Sequence, residues 1–241
     1  MPLKKLICFP YAGGTQYVFA PWQRALHGRL DVIAPELPGR GVRMAKPAID
    51  RLADLVAWLR RELRDTLTGD YALWGHSMGA LAAYELARSL HADGQPLPRH
   101  LFVTGARPPY LLRDAERCHE LDDDALIDKL SRMAGTPPQV LANRELMALL
   151  LPSLRADFAV CETYAWQEEP MLPDLPITVV GGDRDPDVLP TQLPGWRRCT
   201  QGPVRVMTMT GDHFFLRDQV DALRDLFVET LSVPATTRTS A

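Results

Sequence analysis

The sequence predicts an α/β fold with a mainly parallel central sheet, and three observations support this prediction. Short apolar segments alternate with helical segments along most of the 241 residues, which is typical of parallel strands joined by crossover helices. Residues 52–67 have the periodicity of an amphipathic helix. A glycine-flanked turn lies between an apolar strand at 71–74 and an alanine-rich helix at 80–87. This length suffices for one sizeable domain, which we expect over residues 1–231.

The glycine-flanked turn is a G-x-S-x-G box at residues 75–79. Its two glycines permit a sharp turn and close packing, so that the hydroxyl of Ser77 is lifted out of the fold. The positive end of the following helix would then lie where an oxyanion forms. The alternative is an ordinary glycine-rich turn. Strand, box and helix in this order favour a nucleophile elbow with Ser77 as the nucleophile.

A serine nucleophile requires a base, and His213 is the candidate. In folds with this elbow the chain order is serine, then an acid, then histidine. A predicted strand at 204–209 runs into residues 210–216, so His213 follows a strand end, where open α/β sheets bind their ligands. His76 is a poor base because adjacent residues on a sharp turn point apart, but it can pack against or orient the turn.

The acid should follow the predicted buried strand at 175–180. Three aspartates crowd the next loop: Asp183, Asp185 and Asp187. A spacing of two residues after Gly182 selects Asp185, whereas Asp183 requires the strand to end one residue earlier, at Gly181. Asp114, which follows a predicted strand at 101–104, is a third option. Any of these aspartates could instead serve only as a turn former.

Two backbone N–H groups would be needed to hold the oxyanion. One should come from Met78, directly after the nucleophile. The other should come from the loop that follows a predicted strand at 6–9, where Gly13 and Gly14 allow close backbone approach. Ala12 or Tyr11 is the expected donor in this loop.

Several further motifs extend this set of residues along the chain. They are FPYAGG at 9–14, PELPGRG at 35–41, GHSMGA at 75–80, LPSLRADF at 151–158 and GDHFFL at 211–216. Together they resemble the type II, or editing, thioesterases of polyketide and nonribosomal-peptide assembly lines, from about residue 6 to residue 231. The resemblance implies an α/β-hydrolase fold. Asp212 departs from the family pattern, in which glycine is frequent before the histidine.

The resemblance implies a role for each candidate residue. Ser77 would be the nucleophile, His213 the base and Asp185 the acid, and the backbone N–H groups of Ala12 and Met78 would hold the oxyanion. The implied substrate is an aberrant or stalled acyl group on the phosphopantetheine arm of an acyl or peptidyl carrier protein. No metal or organic cofactor is implied. Rival functions are a medium-chain acyl-release thioesterase, a generic carboxylesterase and a catalytically silent carrier-binding subunit.

Composition limits the other classes of function. The net charge of −3 gives no general electrostatic reason to bind nucleic acid or an anionic membrane. The sequence contains no apolar stretch of membrane-spanning length, and its first apolar run is too short for a signal peptide. The four cysteines lie far apart without ligand or redox spacing, as in reduced cytoplasmic proteins. We therefore expect a cytoplasmic protein. We also expect a monomer.

The alternation of strands and helices breaks between about residues 107 and 166, where short helical patterns are separated by prolines. We expect this insertion to form a helical lid over the active site. Four apolar residues are candidates to line an acyl pocket there, although packing onto the core is the alternative for most of them: Met133, Met147, Leu150 and Leu154. Residues 232–241 are polar and are expected to form a flexible tail.

Basic residues suggest where an acidic carrier protein would dock. Arg40, Arg43 and Lys46 cluster after the Pro-Gly turn, and we consider Arg40 and Arg43 candidate docking residues. Arg60, Arg61 and Arg64 follow on the amphipathic helix, but a solvated helix surface is the favoured interpretation of this second group.

Overall fold

The computed structural model describes residues 4–111, 117–133 and 135–232 of the chain. Its centre is a sheet of six strands, all parallel, in the order β2-β1-β3-β4-β5-β6. The strands are β1 (Lys4–Phe9), β2 (Leu30–Ile33), β3 (Tyr71–His76), β4 (Leu101–Thr104), β5 (Ile177–Gly182) and β6 (Val204–Met209). Asp114 lies outside the described residues, as does the predicted tail after Ser232.

Seven α-helices connect and cover these strands within the described ranges. They are α1 (Ala20–Ala25), α2 (Leu52–Glu62), α3 (Met78–Ala92), α4 (Asp123–Arg132), α5 (Pro138–Leu141), α6 (Arg144–Glu162) and α7 (Val220–Ser232). Short 3-10 segments occur between them, the longest of which is Pro190–Arg198. No helix among the described residues combines the length and apolarity needed to cross a bilayer.

Both faces of the sheet are covered, which explains why the central strands are apolar along their whole length. Successive strand residues point to opposite faces. Ile7 and Leu73 therefore pack with α2 and α3 in one cluster, whereas Leu6 and Trp74 pack with α1 and α7 in the other. The edge strand β6 is only partly buried. The expected α/β architecture with a mainly parallel sheet is confirmed.

The predicted elements correspond closely to the observed ones, with differences at their ends. β4 and β6 have the predicted bounds, while β3 continues two residues beyond the predicted strand, directly into the glycine-flanked turn. β5 begins and ends two residues later than predicted. The α2 helix ends at Glu62, before the predicted end at residue 67.

Three helices, α4, α5 and α6, occupy the stretch between β4 and β5 where the sequence predicts an insertion. They have an apolar cluster of their own, whose buried members are Cys118, Leu126, Leu130, Met147, Leu151 and Leu154. Asp122 caps α4, because its side chain accepts a hydrogen bond from the backbone of Ala125 at 2.8 Å. The action of these helices as a lid remains a prediction.

Candidate active site

The turn between β3 and α3 is a strained elbow with Ser77 at its apex. Ser77 has φ 55° and ψ −117°, a conformation that non-glycine residues rarely adopt. Its backbone N–H donates to the carbonyl of Thr104 on β4 at 2.9 Å, which ties the elbow to the neighbouring strand. Strain of this kind persists only where the surroundings over-determine it, and it is frequent at active sites.

The two glycines of the box are required by close backbone contacts. A Cβ atom at Gly75 would lie 2.1 Å from the carbonyl oxygen of Gly79, so a side chain would block the turn. A Cβ atom at Gly79 would lie 2.0 Å from the carbonyl oxygen of Phe9, at the end of β1. The first turn of α3 therefore packs directly onto the end of β1, next to the glycine loop that follows this strand.

His213 and Asp185 meet beyond the ends of β6 and β5. The Nδ1 atom of His213 is 2.8 Å from Oδ2 of Asp185. The other carboxylate oxygen of Asp185 accepts the backbone N–H groups of Asp187 at 2.8 Å and Val188 at 3.0 Å. The carboxylate of the buried Asp185 is thus held through both oxygens, and it orients the imidazole of His213.

The neighbouring aspartates make different contacts. Asp183 Oδ1 accepts the backbone N–H of Gly211 at 2.9 Å, and Asp212 Oδ1 accepts that of Phe214 at 2.8 Å. Both side chains thus shape the loop that carries His213. Of the aspartates in the loop after β5, Asp185 is the one that contacts His213 among the described residues.

No hydrogen bond joins Ser77 to His213 within the part of the chain that the structure describes. His213 directs Nδ1 to Asp185, which leaves Nε2 as the nitrogen available to a nucleophile. Hydrogen bonds between nucleophile and base are often long or poorly aligned without substrate and tighten in the complex. The two residues nevertheless lie in one site, because the ring of His76, adjacent to Ser77, has its centroid 5.3 Å from that of His213.

His76 is fully buried beneath the elbow. Its Nδ1 is 2.9 Å from the hydroxyl of Thr104, which also accepts from the indole N–H of Trp74 at 3.0 Å and donates to the carbonyl of Gly75 at 3.1 Å. Since that hydroxyl proton points to Gly75, the proton of His76 lies on Nδ1. Burial, and secondarily the nearby charge of His213, lowers the pKa of His76 well below its ordinary value. His76 is therefore a neutral support for the turn.

The loop after β1 brings further backbone groups to the elbow. Gly14 donates its N–H to the carbonyl of Tyr11 at 2.8 Å, which closes a tight turn around Ala12 and Gly13. The N–H groups of Ala12 and Met78 have no hydrogen-bond acceptor among the described residues. Both are thus available as donors beside the elbow, as an oxyanion hole requires.

A buried ion pair, which no sequence pattern predicted, lies behind this loop. Arg40 binds Asp157 of α6 through two hydrogen bonds of 2.6 Å. Arg40 is only 3% exposed, so the prediction that it docks a carrier protein is wrong. The cluster of basic residues after the Pro-Gly turn concealed this, because sequence alone does not distinguish a paired buried arginine from an exposed one. The available signal was the aspartate in LPSLRADF, but the motif does not show which residue pairs with it.

Met147 and Leu154 both belong to the apolar cluster of the inserted helices, but their further contacts differ. Met147 is fully buried in the apolar cluster of the inserted helices, where packing accounts for it. Leu154 contacts the glycine loop, because its Cδ2 atom lies 2.5 Å from where a Cβ of Gly13 would be. Leu150 and Met133 are partly buried.

Asp185, Asp187 and His213 also present ligand-type atoms within 4.8 Å of one another. The carboxylate of Asp185 already accepts from His213 and from two backbone N–H groups, and Asp187 is exposed. Hydrogen bonds to His213 and to the loop backbone therefore account for the position of the Asp185 carboxylate.

Comparison with known proteins agrees with this geometry. A model of the thioesterase domain family matches residues 4–230. The gramicidin S biosynthesis protein GrsT of Aneurinibacillus migulanus is 38% identical over 213 residues, which cover 88% of this chain and 82% of GrsT. The medium-chain S-acyl fatty acid synthase thioesterase of Homo sapiens is 30% identical over 220 residues, covering 89% and 81%.

A solved structure gives the same result in three dimensions. The type II thioesterase BorB from the borrelidin biosynthetic cluster superposes with a TM-score of 0.87 at 36% identity, covering 95% of this chain and 93% of BorB. The family match spans nearly the whole chain, and the elbow lies within it. The chain therefore belongs to the thioesterase family and is a thioester hydrolase with the α/β-hydrolase fold.

Proposed function

We propose that this enzyme hydrolyses aberrant or stalled acyl groups from the phosphopantetheine arm of carrier proteins in polyketide or nonribosomal-peptide assembly. The observation that carries the proposal is the hydrogen bond between His213 and Asp185, beside the strained Ser77 elbow. The similarity to GrsT and to the type II thioesterase BorB supports the choice of substrate. The assignment of catalytic roles rests on the geometry of these residues.

In the first half of the proposed cycle, Ser77 Oγ attacks the thioester carbonyl while His213 Nε2 accepts its proton. The carbonyl oxygen becomes an oxyanion that the N–H groups of Ala12 and Met78 hold. Collapse of the tetrahedral intermediate breaks the carbon–sulfur bond. The pantetheine sulfur leaves as a thiolate and takes the proton from His213. Because a thiol has a pKa of about 8.5, this group leaves far more easily than an amine.

In the second half, water hydrolyses the acyl-serine. His213 accepts a proton from the water, whose oxygen attacks the ester carbonyl, and returns the proton to Ser77 as the carbon–oxygen bond of the acyl-enzyme breaks. The buried carboxylate of Asp185 stabilises the imidazolium that forms in each half. The cycle uses protein groups and water, so we propose that it needs no metal or organic cofactor.

The inserted helices would form the lid of this site. Gly135, between α4 and α5, packs against Phe214, because a Cβ atom there would lie 2.8 Å from Cζ of that ring. Arg217 reinforces this contact: it donates to the carbonyl of Gly135 at 3.2 Å and lies 4.3 Å over the Phe214 ring. Since Phe214 directly follows His213, this contact lies at the edge of the proposed site and suits a lid that excludes water.

Arg43 and Lys46 are the remaining candidates for docking a carrier protein, because Arg40 is buried and paired with Asp157. Arg43 pairs with Glu62 and lies 5.2 Å over the ring of Trp58, which holds it on the surface. Val42 beside it is 76% exposed, so an apolar contact is available next to the positive charge. We expect Arg43→Glu to slow hydrolysis of carrier-bound substrates while leaving small thioesters unaffected. Equal rates on both substrate types would eliminate this dock.

A second candidate function is the release of medium-chain acyl groups from a fatty acid synthase. The 30% identity to the human medium-chain thioesterase supports it, but GrsT and BorB are more similar to this chain. Acyl-length preference separates the two functions, because editing requires hydrolysis of short and varied acyl groups. All the proposed catalytic groups belong to one chain, so we expect a monomer. We also expect it to act in the cytoplasm, where cysteine thiols stay reduced.

The decisive experiment is hydrolysis of acyl groups of two to twelve carbons loaded on a phosphopantetheinylated carrier protein. We expect the wild-type enzyme to hydrolyse acyl groups of many lengths and to favour short ones. The rate should fall at least about 10³-fold in Ser77→Ala. The matched control is Ser89→Ala on the same helix, where the lost hydroxyl accepts a hydrogen bond from Arg60 at 2.9 Å. A sharp optimum at medium length would favour the release function. Cleavage of oxygen esters without carrier thioesters would contradict both.

A further inference from the structure

The glycine loop after β1 is held from outside by side chains that do not belong to the proposed catalytic set. Oδ2 of Asp157 accepts the backbone N–H of Gly13 at 2.7 Å. Arg40 Nη1 donates to the carbonyl of Gly14 at 3.1 Å. Two residues after Gly14, the backbone N–H of Gln16 donates to Glu36 Oε1 at 3.1 Å. The N–H of Gly13 and the carbonyl of Gly14 are therefore both held by one ion pair, Asp157 with Arg40.

That ion pair has the properties of a rigid support. Arg40 and Asp157 are 3% and 2% exposed, and the two 2.6 Å hydrogen bonds between them form a bidentate contact. The two partners lie 117 positions apart in the chain. A guanidinium in this arrangement constrains direction as well as distance, because its N–H groups have fixed planar geometry.

The ion pair holds Gly13 and Gly14, which directly follow the proposed oxyanion donor in the chain. Gly13 directly follows Ala12, the proposed second oxyanion donor, and has φ 79°, a conformation suited to glycine. With Gly13 free to rotate, the Ala12 N–H could point in many directions. On the C-terminal side of Ala12, the bonds from Gly13 N–H to Asp157 and from Arg40 to the Gly14 carbonyl restrict this rotation. On the N-terminal side, the hydrogen bond from Gly14 N–H to the Tyr11 carbonyl restricts it.

Asp157 also connects the loop to the inserted helices. It lies on α6, one turn after Leu154, whose side chain packs on Gly13. The same helix therefore contacts the glycine loop by an apolar side chain and by a carboxylate. Displacement of α6 would remove both contacts at once.

We propose that Asp157 and Arg40 are positioning residues that aim the Ala12 N–H at the oxyanion and make its placement depend on the seating of α6. This inference rests on the proposed function of Ala12. The pair acts only through the loop and does not touch the reacting atoms. It links the closed position of the inserted helices to stabilisation of the transition state, so that a displaced α6 leaves an elbow without a complete oxyanion hole.

The test compares Asp157→Asn with wild type on an acyl thioester of a small thiol, so that carrier docking plays no part. We expect kcat to fall about 10- to 100-fold, as for a donor displaced by about 1 Å, while KM changes less than about 3-fold. The affinity for an alkyl boronic acid, whose tetrahedral adduct with Ser77 places an oxygen in the oxyanion hole, should weaken by a similar factor. Unchanged kcat or unchanged boronate affinity in a folded variant would overturn the proposal.

Arg40→Lys supplies an independent variant, because a lysine keeps the charge but cannot make the bidentate contact. It should show the same split between kcat and KM with a smaller loss. The matched control is Arg88→Lys, since Arg88 is also buried and paired, with Glu85 at 2.8 Å, but contacts the carbonyls of Gln167, Glu169 and Pro170 instead of the glycine loop. Arg88→Lys should lower the melting temperature and leave kcat and boronate affinity unchanged. An equal kcat loss in this control would show that general destabilisation is responsible.

This experiment separates the inference from the proposed function. If wild type bound the boronic acid and hydrolysed small thioesters but not carrier-bound acyl groups, the proposed substrate would be wrong and the positioning role would still be measurable. If Asp157→Asn and Arg40→Lys both retained wild-type boronate affinity while wild type edited carrier proteins, the positioning role alone would be refuted.

Discussion

His76 and His213 are the same residue type, 5.3 Å apart by ring centroid, and the structure gives them opposite environments. His76 is fully enclosed, with one nitrogen on the hydroxyl of Thr104 and no partner for Nε2 among the described residues. His213 is partly exposed, with one nitrogen on a buried carboxylate and the other toward the site. A neutral hydroxyl orients a ring without stabilising its charge, whereas a carboxylate does both. The neighbouring group, and not the proximity to Ser77, determines which histidine can act as a base.

Removing each imidazole in turn tests the different roles of the two histidines. His213→Gln should lower kcat/KM for a small thioester on the order of 10⁴-fold, because Ser77 loses its base, while the free energy of unfolding changes little. His76→Gln should reduce activity less than about 10-fold but destabilise the fold by about 1–3 kcal/mol, since it disturbs a buried hydrogen-bonded site. The measurements are steady-state kinetics and urea unfolding of both variants. A larger loss of activity from His76→Gln than from His213→Gln would reverse the proposed roles.

Two aspartates of the loop after β5, Asp183 and Asp185, contact the loop that carries His213 and test what supports this base. Asp185→Asn should lower kcat about 10³- to 10⁴-fold, because an amide neither stabilises the imidazolium nor fixes its tautomer. Asp183→Asn should change kcat less than about 3-fold, since an asparagine oxygen can still accept from Gly211. Activity measured across pH 5 to 9 tests this pair. Equal losses in the two variants would indicate that loop geometry, and not the charge on Asp185, supports His213.

The smallest expected effect concerns buried histidines and pH. Burial lowers the pKa of partly buried His100 to about 4, and that of His76 also lies well below its ordinary value. Unfolded chains have histidine pKa values near 6.5, so as the pH falls below about 6.5 the unfolded state binds protons that the folded state does not. The contribution of these two histidines to the free energy of unfolding is therefore fully present above that pH and is lost as the pH falls. The loss is about 1 kcal/mol per histidine between pH 7.5 and 5.5.

Urea unfolding at these two pH values measures the decline. His100→Gln should reduce the pH-dependent loss by about 1 kcal/mol, because one proton-binding difference is removed. The matched control is His27→Gln at an exposed position, which should leave the loss unchanged. A loss that is identical in wild type and His100→Gln would show that other groups account for the pH dependence.

Local sequence patterns predicted the features that local physics controls. Runs of β-branched and aromatic residues predicted five of the six strands within about two residues, because burial on both sheet faces demands apolar side chains throughout. The glycines at 75 and 79 predicted the elbow, since nothing larger fits the contacts with Gly79 and Phe9. The two-residue spacing after Gly182 selected Asp185, the aspartate that contacts His213 in the structure.

The fold class, the elbow and the order of the candidate triad could be read from the amino-acid order alone. Each depends on residues that are near one another in the chain or on strand ends that a parallel sheet brings to one edge. Only the tertiary structure decided that Arg40 is buried against Asp157 and that Thr104 holds His76. Those contacts join residues 117 and 28 positions apart. An arginine has the same local signature on a surface as in a buried pair, and only the packing of α6 against the glycine loop removes it from water.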